Sequence, residues 1–202
     1  MCGITGIYGI PETDACAASA EALSRMTKSI AHRGPDASGL WTSDEEVMLG
    51  HRRLSIIDTQ AHSNQPFIHG PTGDVIVFNG EVYNYRELRE ELKEDFLFKT
   101  ESDTEVVLAA LQKWGTAALE RFNGMFAFAF WSNERRELLL ARDRMGIKPL
   151  YFAETSNGLI FSSEVRSILA SGWVDRRHDP IALADYLRYQ TVHAPRTVWY
   201  LK

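Results

Sequence analysis

The sequence has little cysteine and no long apolar segment, and these two shortages exclude several classes of protein. Its two cysteines, Cys2 and Cys16, cannot form the disulfide framework of a small secreted domain and lack the paired spacing of a zinc site. The longest apolar run, Met125 to Trp131, is far shorter than the roughly 20 residues that cross a bilayer. The start of the chain also lacks the pattern of a secretory leader, so we expect a cytoplasmic protein.

Positive charge is outnumbered by negative charge, with 22 lysines and arginines against 27 aspartates and glutamates. The formal net charge is −5 at pH 7, and lysine and arginine form no basic stripe. A nucleic acid or an anionic membrane would therefore have little electrostatic attraction to this chain. The six histidines are scattered without a metal-ligand spacing, and no glycine-rich phosphate loop occurs. We predict small-molecule chemistry, with no metal and no cofactor in this chain.

What the sequence does contain is a nucleophile at its very start. Removal of Met1 by an aminopeptidase would place a thiol and a free α-amine on the same residue, Cys2. A thiol attacks best as thiolate, and an α-amine with a pKa of roughly 7.7–8.0 can accept its proton. One residue would then supply both nucleophile and base, as N-terminal threonine nucleophiles do. The alternative is a small residue at a frayed terminus with no chemical role.

Hydrophobic patterns predict a chain of strands and helices. The alternation of small and aromatic residues from Met125 to Trp131 is typical of a strand buried between two layers. Asp14 is predicted to cap a helix on which Cys16 is a buried structural residue. The other strands are predicted over 4–8, 47–49, 54–57, 74–78, 96–98, 138–141, 150–152 and 159–162, and the helices over 15–31, 85–93, 101–114 and 179–189.

Polar groups at strand ends and at one helix start are candidate ligand-binding groups. Arg53 follows a strand pattern, where its planar fork suits a carboxylate, although a solvated surface arginine is the alternative. Asn79-Gly80 is typical of a tight turn, but its amide and N–H are also two donors suited to an oxyanion. Ser102 is predicted to cap a helix, and Asp103 beside it could hold a ligand ammonium.

Two charged segments are predicted to be structural. The turn His32-Arg33-Gly34-Pro35-Asp36 is expected to be a corner whose arginine bonds to carbonyl groups, with a catalytic role as the alternative. The corner from Arg142 to Pro149 is expected to brace neighbouring strands by ion pairs or to contact a neighbouring domain.

Together these segments resemble class II glutamine amidotransferases, and within them the glutaminase half of glutamine-hydrolysing asparagine synthetases. The matching segments follow the family order over nearly the whole chain. They are Cys2-Gly3-Ile4, His32 to Asp36, His51-Arg52-Arg53-Leu54-Ser55-Ile56-Ile57-Asp58, Phe78-Asn79-Gly80-Glu81-Val82-Tyr83-Asn84, Ser102 to Glu105, Gly124 to Phe128 and Arg142 to Tyr151. The resemblance implies an α+β fold, a four-layer α/β/β/α sandwich of two stacked antiparallel sheets of the N-terminal-nucleophile hydrolase type.

The resemblance also implies a reaction. Cys2 attacks the side-chain amide of L-glutamine, ammonia leaves, and water releases glutamate from the resulting thioester. Asn79 and Gly80 stabilise the oxyanion.

The resemblance implies a binding role for four further residues. Arg53 holds the substrate α-carboxylate, Asp103 with Glu81 holds the α-ammonium, and backbone groups around Ile57 complete the pocket.

The same resemblance divides the chain into a glutaminase domain over 1–172 and, over 173–202, the last part of that domain with a connection toward a C-terminal synthetase domain. In the family that domain receives the ammonia and amidates aspartate with ATP and Mg²⁺, and its Ser-Gly-Gly-x-Asp-Ser loop does not occur in this sequence. A homodimer is common in the family. Two alternatives stay open, namely a different carboxylate acceptor and a glutaminase-like binding module without turnover.

Overall fold

The computed structural model describes residues 1–9, 15–43, 46–192 and 197–198. Its strands are β1 (Gly3–Tyr8), β2 (Ala37–Thr42), β3 (Val47–Arg53), β4 (Phe67–Ile68), β5 (Val75–Val82), β6 (Gly124–Ser132), β7 (Glu137–Arg142), β8 (Tyr151–Thr155) and β9 (Gly158–Ser162). Its α-helices are α1 (Ala15–Ser29), α2 (Tyr85–Leu92), α3 (Asp103–Trp114), α4 (Ala118–Arg121), α5 (Val165–Ala170) and α6 (Pro180–Tyr189).

The strands form two antiparallel sheets. Sheet I has the order β2-β3-β1-β9-β8, and sheet II has the order β4-β5-β6-β7. In sheet I the first strand of the chain is central, with β3 on one side and β9 on the other. The residues just before β1 are therefore fixed at the end of a paired strand.

Three apolar layers separate the sheets from each other and from the helices. The layer between the sheets contains Ile4, Leu49, Val77, Trp131 and Phe161. A second layer packs sheet I against α1 and α5, and a third packs sheet II against α2, α3 and α4. This arrangement confirms the predicted four-layer α/β/β/α sandwich.

The alternation along β6 is confirmed and explained by these layers. Ala127, Ala129 and Trp131 face sheet I, while Phe126, Phe128 and Phe130 belong to the apolar layer on the helix side. Successive side chains of a strand point to opposite faces, so a strand with apolar cover on both faces is apolar throughout.

Two predicted strands are wrong. Residues 54–57 form an irregular loop after β3, and residues 96–98 form an irregular segment between α2 and α3. Arg53 bonds to oxygens of the loop over 58–64, which draws that loop back toward the strand end rather than onward along the sheet. The sequence patterns also missed β2, a half-exposed edge strand, and the two-residue β4.

The predictions for helix starts and for Cys16 have different outcomes. Ser102 caps α3, as expected. The helix predicted from residue 179 begins at Pro180, with Asp179 as its cap. The predicted cap Asp14 and the side chain of Cys16 lie outside the described residues.

Candidate functional site

A cavity lies where several strands end, at the edge of the layer between the sheets. Cys2 precedes β1, Arg53 ends β3, Asn79 lies in β5 and Met125 is the second residue of β6. The cavity volume is about 100 Å³, enough for several water molecules. Its lining is Met1, Cys2, Arg53, Leu54, Ile56, Ile57, Ser63, Gln65, Phe78, Asn79, Gly80, Glu81, Ser102, Asp103, Thr104, Met125 and Lys148. All seven residues that the sequence indicated for the site are in this list.

The Cys2 thiol faces the first residue of the loop after β3. Its Sγ lies 3.6 Å from the Leu54 carbonyl oxygen, to which it donates, and accepts from the Leu54 N–H at 3.4 Å. Burial raises the pKa of the Cys2 thiol, while the Leu54 N–H, the amino terminus and Arg53 act in the opposite direction. A thiol in this environment needs a nearby base to become a thiolate.

Arg33 fixes the backbone of Cys2 from the other side. Its Nε donates to the Cys2 carbonyl at 2.9 Å, and its Nη1 donates to Glu164 at 3.1 Å. The expected corner, whose arginine bonds to carbonyl groups, is found with one carbonyl partner, Cys2, and one carboxylate partner, Glu164.

Arg53 is a buried cation whose protein partners are neutral oxygens. Its guanidinium donates to the Gln60 carbonyl at 2.9 Å, to Asn64 Oδ1 at 2.7 Å and to the Asp58 carbonyl. No ion pair joins Arg53 to a carboxylate in the part of the chain that the structure describes. Because burying an uncompensated charge is costly, this guanidinium is suited to a carboxylate brought by a ligand.

Two acids lie in the same cavity without a cationic partner. Asp103 is buried at the start of α3, and burial raises its pKa to about 6, with the negative charge of Glu81 adding to the rise. The Asp103 carboxylate accepts the Val82 N–H at 3.1 Å. Within the described residues neither acid forms an ion pair, so a ligand ammonium would find two carboxylates available.

The amide of Asn79 is a donor without an acceptor. Asn79 is buried in β5, and its Nδ2 atom has no hydrogen-bond partner among the described residues. A buried unsatisfied donor costs free energy unless a ligand supplies the acceptor. Asn79 and Gly80 do not form the tight turn that an Asn-Gly pair often indicates, because both residues lie inside β5.

Strand geometry leaves the Gly80 N–H without an acceptor among the described residues as well. Gly80 pairs with Phe126, whose N–H and carbonyl both bond to Asp143 on the far side. In such a non-hydrogen-bonded antiparallel pair, the N–H groups of both residues point away from the partner strand. The Gly80 N–H therefore points to the other edge of β5, where β4 covers only Val75 and Ile76.

The loop after β3 provides the remaining wall. Ile57 lines the cavity, and Asp58 beside it ties the loop to the residue before Ser102, because its carboxylate accepts the Glu101 N–H at 3.0 Å. Burial would raise the pKa of the Asp58 carboxyl, but its hydrogen bonds lower it well below the usual range. Asp58 itself has a positive φ of 48°.

Several residues of the cavity were not assigned to the site from the sequence, among them Gln65, Lys148 and Leu54. Gln65 is buried in an irregular loop beside a proline, where no periodic pattern marks it. Lys148 is buried, and its Nζ lies 3.4 Å from Met1 Sδ. The motif around Lys148 was visible, but it was assigned to bracing of the strands or to contact with a neighbouring domain.

That corner is braced in a different way from the one predicted. Asp143 accepts the N–H groups of Phe126, Ile147 and Lys148, and Arg142 donates to the carbonyls of Gly146 and Lys148. Side-chain bonds to the backbone replace the predicted ion pairs, because the carboxylate lies inside the turn, where unpaired N–H groups converge.

In the described part of the chain, no group of three or more His, Cys, Asp and Glu side chains is placed to hold a metal ion. Over the same residues, no helix is long and apolar enough to cross a membrane.

Comparison with known proteins gives concordant family matches. The family model described as a glutamine amidotransferase domain matches residues 1–201. A putative glutamine-hydrolysing asparagine synthetase of Mycobacterium tuberculosis is 42% identical, with 98% of this chain and 33% of that protein covered. The amidase chry2 of Gibberella zeae is 44% identical, with 75% of this chain and 23% of that protein covered. The chain thus spans a third or less of the length of these relatives.

A solved structure shares the fold. The glutamine phosphoribosylpyrophosphate amidotransferase of B. subtilis superimposes with a TM-score of 0.69 over 89% of this chain and 46% of that protein, at 22% identity. This agreement confirms the predicted N-terminal-nucleophile type of sandwich. From the family match over nearly its whole length, we conclude that the chain belongs to the glutamine amidotransferase domain family.

Proposed function

We propose that this chain hydrolyses L-glutamine to glutamate and ammonia through a thioester on Cys2. The observation that carries the proposal is the charge pattern of the cavity. A guanidinium, Arg53, and two acids, Glu81 and Asp103, share one small cavity with the Cys2 thiol, and none of the three is ion-paired within the described residues. A free α-amino acid carries the complementary pair of charges, and glutamine adds an amide for the thiol to attack.

In the proposed reaction the Cys2 sulfur attacks the carbon of the substrate side-chain amide. The thiol proton passes to the α-amine of the same residue, and the carbonyl π electrons move onto oxygen. The amine then returns the proton to the leaving nitrogen, the C–N bond breaks, and ammonia leaves as the γ-glutamyl thioester forms. Water then attacks the thioester carbon and gives its proton to the same amine, the C–S bond breaks, the amine returns the proton to the Cys2 sulfur, and glutamate is released.

Asn79 and Gly80 stabilise the oxyanion in both tetrahedral intermediates. Among the described residues the Asn79 Nδ2 has no partner and the Gly80 N–H, which points away from β6, has no acceptor, so neither donor must break a hydrogen bond to them in order to bind the oxyanion. A preorganised donor of this kind typically contributes about 10²–10³-fold to kcat.

Arg53 binds the α-carboxylate, and Asp103 with Glu81 binds the α-ammonium. A glutamine residue within a peptide lacks both charges, so it would leave the buried guanidinium and the buried carboxylate unpaired. Backbone groups around Ile57 close the pocket. These four residues select free glutamine.

Removal of Met1 is a condition of this mechanism. With Met1 in place the Cys2 nitrogen is an amide and cannot accept a proton. The Met1 side chain also lines the cavity, where it takes space that the substrate needs.

The test is glutamate release by the processed chain and by Cys2→Ala. We expect the variant to fall to the background rate while its circular dichroism and unfolding midpoint stay near those of wild type, because the lost group is one sulfur atom. Glutamate release by Cys2→Ala at the wild-type rate would contradict the proposal. Absence of release by the processed wild type would favour the binding module without turnover.

We further propose that the ammonia serves an ATP- and Mg²⁺-dependent amidation of aspartate in a C-terminal domain of the same polypeptide. Support comes from the relatives, which are about three times longer and include proteins named as asparagine synthetases. On this proposal residues 1–172 are the glutaminase domain, and 173–202 complete it and lead toward the second domain. A homodimer and a cytoplasmic location are part of the same proposal.

A different acceptor is the second candidate, because one relative of similar identity is named an amidase rather than a synthetase. Ammonia-acceptor assays with aspartate and ATP on the full-length protein separate the two. Asparagine formed from labelled glutamine nitrogen supports the first, and no asparagine with intact glutaminase activity supports the second.

A further inference from the structure

The edge of β5 that carries the oxyanion donors is held by side chains where a neighbouring strand would normally lie. Three N–H groups on this edge, those of Phe78, Gly80 and Val82, point away from β6. Gln65 Oε1 accepts the Phe78 N–H at 2.6 Å, and Asp103 Oδ2 accepts the Val82 N–H at 3.1 Å. The Gly80 N–H lies between these two groups and has no acceptor among the described residues. It is therefore the one unbonded donor of the three.

The carbonyl of Phe78 is held as well. His51 Nε2 lies 3.1 Å from this oxygen, and the imidazole is fully buried between the sheets. Burial lowers the pKa of His51 to about 3, so the ring is neutral at physiological pH. Because a carbonyl only accepts, Nε2 carries the proton and donates, while Nδ1 has no partner among the described residues.

Gln65 is anchored in turn at the start of α3. Its Nε2 donates to Thr104 Oγ1 at 3.2 Å, next to Asp103, the substrate-binding acid. Both ends of its amide are thus used, one on β5 and one on α3. The Phe78 peptide groups are fixed from sheet I by His51 and from the helix layer by Gln65.

We propose that Gln65 and His51 are positioning residues for the oxyanion site, fixing the Phe78 backbone so that the Asn79 amide and the Gly80 N–H converge on the same point. The inference rests on the proposed glutaminase function. Neither residue needs to touch the substrate oxygen for this role, because each acts through the backbone one residue before Asn79. A displacement near 1 Å at a reacting centre can cost about 10²-fold in rate.

If Gln65 and His51 had only a structural role, a different result would be expected on their substitution. Losing a buried hydrogen bond lowers the free energy of unfolding wherever it occurs in the fold. Loss of oxyanion alignment instead lowers kcat, because the oxygen bears its negative charge only in the tetrahedral state. Binding of the ground state through Arg53 and Asp103 would be left unchanged.

The experiment compares the processed wild-type chain with Gln65→Met, His51→Leu and His51→Gln. Kinetics of glutamine hydrolysis give kcat and KM, and inhibition constants are measured for L-glutamate and for the aldehyde analogue of glutamine. The Cys2 sulfur adds to the aldehyde carbon, the thiol proton passes to the α-amine, and the product carries an oxyanion. The cyclisation of this aldehyde in water is common to all variants, so ratios between variants are unaffected.

We expect Gln65→Met and His51→Leu to lower kcat about 10- to 100-fold and to weaken aldehyde binding by a similar factor. KM for glutamine and the inhibition constant of glutamate should change less than about threefold. His51→Gln should recover part of the loss, because its side-chain amide can donate from nearly the position of Nε2. Thr104→Val, which removes only the anchor of Gln65, should show a smaller change in the same direction and replaces Gln65→Met if that variant does not fold.

The matched control is Ser167→Ala. Ser167 is buried and donates a hydrogen bond to the Met26 carbonyl at 3.1 Å, on the side of sheet I away from the cavity. The Ser167→Ala variant should be less stable than wild type but should keep the wild-type kcat and aldehyde affinity.

If the Gln65 and His51 variants fold and keep the wild-type kcat and aldehyde affinity, the positioning role is overturned and the proposed function is not. A processed wild-type chain that neither hydrolyses glutamine nor binds the aldehyde would overturn the proposed function, and the positioning role with it.

Discussion

At the scale of single residues, the cavity is marked by polar groups that the chain itself leaves unpaired. Arg53 donates only to neutral oxygens, Asp103 accepts only N–H groups, and Asn79 Nδ2 has no acceptor among the described residues. Buried charges are usually ion-paired and buried donors are usually hydrogen-bonded, so three exceptions around one thiol point to a ligand. Together the three groups are complementary to a ligand that carries a carboxylate, an ammonium group and an oxygen that accepts a hydrogen bond.

The first prediction concerns Arg53→Leu. A charge-assisted hydrogen bond contributes roughly 1.5–3 kcal/mol, so the KM for glutamine should rise about 10- to 100-fold, with a smaller effect on kcat. The KM of Arg53→Lys should lie between those of wild type and Arg53→Leu, because lysine keeps the charge but lacks the planar guanidinium. Steady-state kinetics test this, with the exposed Arg177→Leu as the charge-matched control. A large fall in kcat at unchanged KM would contradict the assigned role.

The second prediction concerns the ionisation of Asp103. Its pKa in the folded chain is about 6, so the ammonium-binding charge is lost as pH falls through this value. We expect kcat/KM for glutamine to fall below about pH 6, in addition to the fall that protonation of the Cys2 amine causes at higher pH. Only the step near pH 6 should be absent from the already weakened Asp103→Asn variant. A wild-type profile with no limb near pH 6 would contradict the assignment.

The same shift has an opposite consequence for stability. The folded chain binds the proton more tightly than the unfolded chain, so ionisation of Asp103 costs free energy of folding as pH rises from about 4 to about 6. Asp103→Asn removes this cost. Its free energy of unfolding relative to wild type should therefore be higher at pH 8 than at pH 4.

At the scale of elements, the close approach of β5 and β6 depends on glycine at one pair. A Cβ built on Gly80 would lie 2.5 Å from the Met125 carbonyl oxygen and 2.7 Å from Phe126 Cα. Both are backbone atoms, which cannot move aside without shifting β6. Gly80 is therefore needed for strand packing as well as for its N–H.

The third prediction follows from this contact. Gly80→Ala should destabilise the chain by about 1–3 kcal/mol and lower kcat, since a shift of β5 moves both oxyanion donors. Urea unfolding and kinetics measure the two effects. Gly70→Ala is the matched control, because its Cβ would meet no atom within 4 Å. Equal stability of the two variants would contradict the packing argument.

Elements with strong local patterns could be predicted from the sequence, and those fixed by tertiary contacts could not. The alternation in β6 and the cap at Ser102 are local signals, and both were found. The apolar run over 54–57 has the composition of a strand, but Arg53 bonds to residues 58–64 and folds the chain back. Gln65 could not be found, because its role depends on Phe78 and Thr104, which are distant in the sequence.

At the scale of the whole molecule, the site exists only after the sandwich has formed. The cavity takes Cys2 from the start of sheet I, Asn79 from sheet II, Asp103 from a helix and Lys148 from the corner after β7. These residues are far apart in the chain, so no single element can assemble the site. A fourth prediction is that reactivity of Cys2 toward a glutamine analogue is lost in urea together with global unfolding, followed by circular dichroism. Loss of selective reactivity well before unfolding would contradict this dependence.

The most direct test of the central claim is the intact mass of the protein after incubation with diazo-oxo-norleucine, a glutamine mimic that alkylates an activated nucleophile. The account predicts a chain without Met1 that carries one adduct, located on Cys2 by peptide mapping and prevented by excess glutamine. A chain that begins with Cys2 and gains no adduct, or gains one elsewhere, would contradict it.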